Sequence, residues 1–220
     1  MSSSAPVPSS LPSRGPAPKQ PPTKPADPSA RLHFLYSRIP HASDATLAEV
    51  LGNVPLEDKR VIASVFAFVI SGGTTPGAFA RSVGRKTKVV WMNIEQGKTA
   101  GEDRAEVVLE VKVEDDMCNA FGTMHGGCGA FLLDHASLGT LVVLGKAKGF
   151  DGMGMTTNMN ISWHTPAASG ETIQIRAITV FVDPRRGGSR VTRCEVREKD
   201  TGRLVLSGTT ASAHPGGHKM

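Results

Sequence analysis

One stretch constrains this chain more than any other, because residues 128–144 are almost entirely apolar or small. A helix drawn through them has apolar side chains on every face, which is the pattern of a helix enclosed by protein. The exceptions are Asp134, which has a carboxylate, and His135, which has an imidazole. A carboxylate midway along a buried helix is costly to desolvate unpaired, so Asp134 is a candidate for chemistry or for a specific hydrogen-bonded role. His135 points about 100° away around the helix, and we interpret it as a packing or interface residue.

The length of 220 residues fits one domain of about 150 residues with an extension. Residues 1–30 hold nine of the fifteen prolines and are predicted to be a disordered Pro/Ser-rich tail, in preference to a targeting signal, whose helix the prolines oppose. Residues 31–55 form an extension of uncertain structure, with short helical pieces expected around 44–51. Residues 56–213 are predicted to be the main domain and 214–220 a flexible C-terminus.

The net charge of +5 favours a small anionic substrate over nucleic acid. Residues 1–30 carry +2 of that charge, which leaves a mild excess of +3 for the other 190 residues. One Tyr and two Trp offer few platforms for base stacking, so no nucleic-acid partner is expected.

The three cysteines have no zinc-site spacing, so reduced thiols are expected, with no metal and no cofactor. Asp134 and His135 interrupt the apolar helix and the run 61–70 is short, so no membrane span is predicted. The expected compartment is the cytoplasm, with the mitochondrion next. The C-terminal His-Lys-Met only loosely resembles a peroxisomal signal.

The rest of the chain predicts one further helix and six strands. Residues 56–70 have acidic residues in the first turn and apolar residues at helical spacing, and Gly72-Gly73 ends the helix. Segments with strand-type composition, separated by turn signals, are 88–95, 104–113, 155–164, 171–182, 190–199 and 203–213. This order predicts an α+β fold in which a curved antiparallel sheet wraps around the long helix. Such a sheet leaves exposed edges, so at least a dimer is expected.

A helix that begins near His125-Gly126 presents unpaired backbone N–H groups to an anion or an oxyanion, and glycine at 126 and 127 allows close approach. Asp134 lies eight residues later, about 12 Å further along the helix. Two antiparallel helices across a two-fold axis would bring one chain's Gly126 beside the other's Asp134. With the Asn119 amide as a further donor, the set suits hydrolysis of an activated ester. Alternatives remain: Asp134 as a structural acid, His125 as a cap that orients the loop, and Asn119 as an ordinary turn residue.

The motif Asn119-x-x-Gly122-Thr-x-His125-Gly-Gly127, with Asp134 on the following helix, resembles the hotdog-fold acyl-CoA thioesterases of the PaaI/acyl-coenzyme A thioesterase 13 group. Residues 158–167 resemble that group's next strand, and 200–208 its closing hairpin. The resemblance covers roughly 56–213 and implies the hotdog fold. It also implies hydrolysis of fatty or aryl acyl-CoA to free acid and CoA. The alternative is a non-catalytic module that binds acyl-CoA.

The resemblance implies a role for each motif residue. Asn119 and the Gly126 N–H would contact the thioester carbonyl. Apart from the resemblance, Gly127 is a candidate to bind the substrate, and His125 is a candidate member of the catalytic set that orients the loop. Asp134, supplied by the partner subunit of a homodimer or homotetramer, would act as base or nucleophile. Thr156 would help to hold the water, or Thr157 if the alignment slips by one.

Basic residues near strand ends and loops are the candidates for the CoA phosphates. Those suggested by the resemblance are Arg185, Arg186 and Arg190, followed by Lys146 and Lys148.

Overall fold

The computed structural model describes residues 34, 36–99, 102–185 and 188–213. The helices are α1 (Asp44–Ala48), α2 (Leu56–Ile70), α3 (Arg81–Lys86) and α4 (Gly126–Lys148), with a 3₁₀ turn at Asp115–Met117. The strands are β1 (Lys88–Glu95), β2 (Arg104–Lys112), β3 (Met155–Trp163), β4 (Thr172–Val182), β5 (Ser189–Glu198) and β6 (Leu204–Ala213). Each of the six strands lies within one residue of its predicted bounds. The predicted tail 1–30 and the C-terminus 214–220 lie outside the described residues.

The strands form one antiparallel sheet in the order β1-β2-β4-β5-β6-β3. Burial alternates along β2, β4 and β5, because successive side chains point to opposite faces and only one face is covered. Helix α4 lies on that face and contacts every strand. The predicted α+β fold, a curved sheet wrapped around one long helix, is therefore confirmed.

Helix α4 is the core element that the apolar stretch predicted. Leu132, Leu133 and Ala136 have no exposed surface. Its C-cap is Gly149 in the left-handed conformation, at φ 73°, which favours glycine. By length and composition α4 could cross a membrane, but most of it is buried within the protein, as expected of a core helix.

Helix α2 packs on α4 through its apolar stripe, as predicted. The Phe66 ring of α2 lies against Gly139 of α4, where an added Cβ atom would be 3.6 Å from the ring. The described part of the N-terminal extension shares this core through four buried side chains, Ile39, Leu47, Val50 and Val54. Lys59 ties the two segments together, since its Nζ donates to the backbone oxygens of Val50 at 2.7 Å and Gly52 at 3.0 Å.

Strand β3 is an edge strand with an unusually exposed run of side chains. Met155 and Trp163 at its ends are 61% and 56% exposed. Its inner edge pairs with β6, and within the described part of the chain its outer edge has no partner strand. An edge of this kind, without charged side chains, is suited to pairing with another chain.

Candidate active site

The loop before α4 is held in shape by the side chain of Asn119. Its Oδ1 accepts hydrogen bonds from the N–H groups of Phe121 at 2.9 Å and Thr123 at 3.4 Å. Its Nδ2 donates to Thr123 Oγ1 at 3.1 Å. Asn119 therefore organises the turn, as one interpretation of the sequence had it. One of its two amide hydrogens is used in the loop, and no acceptor among the described residues is hydrogen-bonded to the other.

The N-terminus of α4 presents one free backbone donor. His125 is the N-cap, and its Nδ1 accepts the Gly127 N–H at 2.9 Å. No acceptor in the described ranges is hydrogen-bonded to the Gly126 N–H. The expected orienting role of His125 is thus visible in the geometry, whereas the Gly127 N–H is occupied. The lack of a side chain at Gly127 leaves room for the His125 ring, since a Cβ added there would lie 3.1 Å from His125 Nδ1.

Asp134 carries a hydrogen bond that fixes its carboxylate. The Thr156 hydroxyl at the start of β3 donates to Asp134 Oδ1 at 2.5 Å. The Thr157 hydroxyl instead donates to the backbone oxygen of Ala211 at 3.2 Å. The β3–β6 pairing has a bulge between Thr156 and Asn158, and this bulge turns the side chains of Thr156 and Thr157 toward different partners. Bulges beside functional sites often redirect side chains in this way. Thr156 is therefore the residue that contacts Asp134.

A cavity of about 370 Å³ opens beside the Asp134 carboxylate. Its lining combines a polar side with an apolar side. The polar groups are Asp134, Ser137, Thr156, Thr210 and Ser212, and the apolar ones are Leu138, Leu141 and Met155, with Gly154 between them. The site thus offers one anionic oxygen pair, several hydroxyls and a hydrocarbon wall.

The two chemical centres of one chain lie apart. Gly126 and Asp134 belong to the same helix, eight residues from each other. An α-helix rises about 1.5 Å per residue, which separates them by about 12 Å along the axis. A single reacting carbonyl cannot touch both groups of one chain.

The cysteines supply no nucleophile to this arrangement, although Cys194 Sγ lies 3.1 Å from Ser137 Oγ in the cavity lining. All three are free thiols, as predicted. Burial raises the pKa of Cys128 to about 11 and that of Cys194 to about 12, so both remain protonated at neutral pH and are poor nucleophiles. Among the side chains that the structure describes, no group of three or more His, Cys, Asp or Glu is placed to hold a metal ion.

The amino-acid sequence is similar to those of known thioesterases. A family model described as the thioesterase superfamily matches residues 121–204, which include Gly126, Asp134 and Thr156. Acyl-coenzyme A thioesterase 13 from Homo sapiens and from Pongo abelii is 33% identical over 140 residues, or 64% of this chain and 87% of each relative. The chain belongs to this thioesterase family.

Solved structures of the thioesterase family agree. Zebrafish thioesterase superfamily member 2 aligns with a TM-score of 0.51 and 26% identity, over 69% of this chain and 94% of that one. The Mus musculus protein of the same name aligns with a TM-score of 0.50 and 26% identity, over 69% and 92%. The hotdog fold implied by the sequence resemblance is confirmed.

The thioesterase fold does not place all three predicted arginines on the surface. Arg190 is 1% exposed, because it is the second residue of β5 and lies on the face that packs inward. Its Nη1 donates to the backbone oxygen of Met153 at 3.2 Å. The prediction that Arg190 contacts CoA phosphates is wrong. Arg185 is exposed and chelates Asp183, whose pKa it lowers to about 2. Arg186 lies outside the described residues.

The two lysines at the end of α4 are engaged in ion pairs. Lys146 lies 3.1 Å from Asp58 at the start of α2, and Lys148 lies 2.7 Å from Asp103 before β2. Both charges also favour the C-terminal end of the helix dipole. These ion pairs show that Lys146 and Lys148 hold α4 to the neighbouring segments.

Sequence reasoning missed the hydroxyl side chains of β6 that face α4. Thr210 Oγ1 donates to Ser137 Oγ at 2.7 Å, and Ser137 Oγ donates to the Leu133 backbone oxygen at 2.9 Å. Ser212, two residues further along β6, lines the cavity. The available signal was a pair of hydroxyl residues at alternate positions of a strand, on the face where a packed core is usually apolar.

Proposed function

We propose that the chain hydrolyses the thioester of a fatty or aryl acyl-CoA to the free acid and CoA. The observation that carries this proposal is the Asp134 carboxylate, oriented by the Thr156 hydroxyl at 2.5 Å beside a cavity with an apolar wall. Membership of the thioesterase family supports it, as do relatives named acyl-coenzyme A thioesterase 13.

In the proposed reaction Asp134 is the general base. One carboxylate oxygen accepts the Thr156 hydroxyl, and the other is left to accept a proton from water. The water oxygen forms a bond to the thioester carbon as its proton passes to Asp134. The C–S bond then breaks, and the departing thiolate takes the proton from Asp134. The products are the carboxylic acid and the CoA thiol, and the carboxylate is regenerated.

The carbonyl oxygen becomes negatively charged when water adds, and we assign its stabilisation to the N-terminus of α4. The Gly126 N–H is a free donor there, and the helix dipole favours an anion at the same place. The second amide hydrogen of Asn119 is a further donor. His125 supports the site by fixing the first turn through Gly127.

The proposed site is composite, with Gly126 from one protomer and Asp134 from its partner. Two observations support this arrangement: the spacing of the two residues along one helix, and the outer edge of β3. Pairing of two β3 strands across a two-fold axis gives a homodimer with two equivalent sites, and a homotetramer would be two such dimers. Thr156, near the start of β3, would then lie close to the interface.

Release of free thiol from a panel of short, long and aromatic acyl-CoAs tests the proposed function. Turnover of at least one of these esters is expected from the purified oligomer, whose mass is measured in parallel. A folded protein that releases no thiol from any of them would contradict the proposal.

Thr156→Val is expected to lower kcat by about tenfold, because it removes a hydrogen bond to a charged group with little change of shape. Thr157→Val is the matched control, since that hydroxyl donates to Ala211 and does not contact Asp134. Steady-state thiol release from the two variants measures the difference. Equal losses would mean that the bond between Thr156 and Asp134 has no part in turnover.

A further inference from the structure

Two buried polar atoms close to the cavity lack a hydrogen-bond partner within the described residues: Arg190 Nε and Ser212 Oγ. A buried polar atom left unpaired destabilises the fold, so each of these atoms calls for a partner. The two residues are direct partners in the pairing of β5 with β6. Directly opposed residues present their side chains on the same face of a sheet, with Cβ atoms about 4.5–5.5 Å apart.

Arg190 and Ser212 begin a row of cross-strand neighbours that extends to the Asp134 carboxylate. Ser212 is also the direct partner of Thr156 in the pairing of β6 with β3. Thr156 in turn donates to Asp134. Arg190, Ser212 and Thr156 therefore lie side by side on three adjacent strands, on the face that packs against α4. Ser212 and Asp134 line the same cavity.

Arg190 is firmly held at the far end of this row. Its guanidinium lies over the Phe150 ring, 5.3 Å from the centroid, and its Nη1 donates to Met153. A guanidinium N–H can only donate, so Nε–H requires an acceptor, and Ser212 Oγ is its cross-strand neighbour. When Ser212 Oγ accepts from Arg190, its own O–H is left to donate into the cavity.

Resting on the proposed function, we propose that Ser212 is a further catalytic residue, whose hydroxyl holds the water that Asp134 deprotonates. Arg190 is a positioning residue that acts through Ser212. The cavity has room for a water, and its lining includes both Ser212 and Asp134. The Ser212 hydroxyl donates to one lone pair of that water, which leaves the other lone pair to face the thioester carbon. Asp134 remains the group that receives the proton.

Two nearly isosteric substitutions separate the hydroxyl from the shape of the side chain. Ser212→Thr keeps the hydroxyl and is expected to retain kcat within about threefold, whereas Ser212→Val is expected to lower kcat about tenfold with KM unchanged. Thiol release is measured per folded protomer, with the folded fraction taken from urea unfolding. Equal activity of the two variants would overturn the role of the hydroxyl.

A double-mutant cycle tests the position of Arg190. Arg190→Met is expected to lower kcat about fivefold alone, and by less than about twofold when Ser212 is already valine. If the double variant instead lost kcat by the product of the two single losses, Arg190 would not act through Ser212. Arg193→Met and Ser189→Ala are the controls, because both side chains are exposed on β5 away from the cavity.

A high-resolution crystal structure of the wild type tests the row without reference to turnover. A water within 2.6–3.2 Å of both Ser212 Oγ and an Asp134 oxygen is expected, with Arg190 Nε donating to Ser212. Absence of that water would overturn the inference. Absence of thiol release by the wild type would instead count against the proposed function, so the two failures are distinguishable.

Discussion

Asp134→Asn is expected to lower kcat for acyl-CoA hydrolysis by about 10²- to 10⁴-fold, with little change in KM. Asparagine has the shape of aspartate and keeps an oxygen that can accept the Thr156 hydroxyl. It cannot take a proton from water, so only the chemical step is affected. Thiol release under saturating substrate, with oligomer mass measured on both proteins, gives the comparison.

A matched control for Asp134→Asn is Asp200→Asn, which makes the same exchange at an exposed position of the β5–β6 hairpin. This control is expected to keep wild-type kcat. Near-normal turnover by a folded Asp134→Asn oligomer would remove Asp134 from the chemistry. The carboxylate would then be a structural group paired with Thr156.

Gly126→Pro is expected to lower kcat by about 10²- to 10³-fold, because it deletes the backbone donor assigned to the oxyanion. The substitution suits the local backbone unusually well. Gly126 is the first residue of α4, where proline is favoured. The preceding His125 has φ −63° and ψ 137°, the extended conformation that a residue before proline prefers. Circular dichroism and oligomer mass are therefore expected to match the wild type.

Gly126→Ala is the control for the proline variant, since it adds a carbon but keeps the N–H. The added carbon would lie 3.4 Å from Trp163 Nε1, an ordinary contact. Its kcat is expected to stay within about tenfold of wild type. If alanine and proline reduced kcat equally, crowding against Trp163 would explain the loss, and the Gly126 N–H would have no special role.

The architecture was predictable because its signals are local and agree with one another. Residues 128–144 are apolar on all faces, which requires enclosure, and the strands alternate between buried and exposed positions. Helix α3 was not predicted, since Arg81–Lys86 is short and polar, without an apolar period. It begins after Ala80 in the left-handed conformation, at φ 50°, and is placed by packing of Gly84 against the end of α2.

The candidate site was predictable where one residue breaks a pattern. Asp134 stands out as a carboxylate in an apolar helix, and His125 precedes two glycines. Arg190 was misassigned because a basic residue near a turn looks exposed until the strand register shows which face it occupies. The bulge that separates Thr156 from Thr157 is likewise a property of the pairing between β3 and β6, which no local pattern reveals.

The central claim, a catalytic site built from two protomers, is tested most directly by subunit mixing. Asp134→Asn and Gly126→Pro proteins are combined in equal amounts, unfolded in urea and refolded together, and thiol release is then measured. A mixed dimer contains one site with Gly126 from one chain and Asp134 from the other, so recovery of about a quarter of wild-type activity is predicted. Activity no higher than the mean of the two parent variants would contradict the account, because both groups would then have to come from one chain.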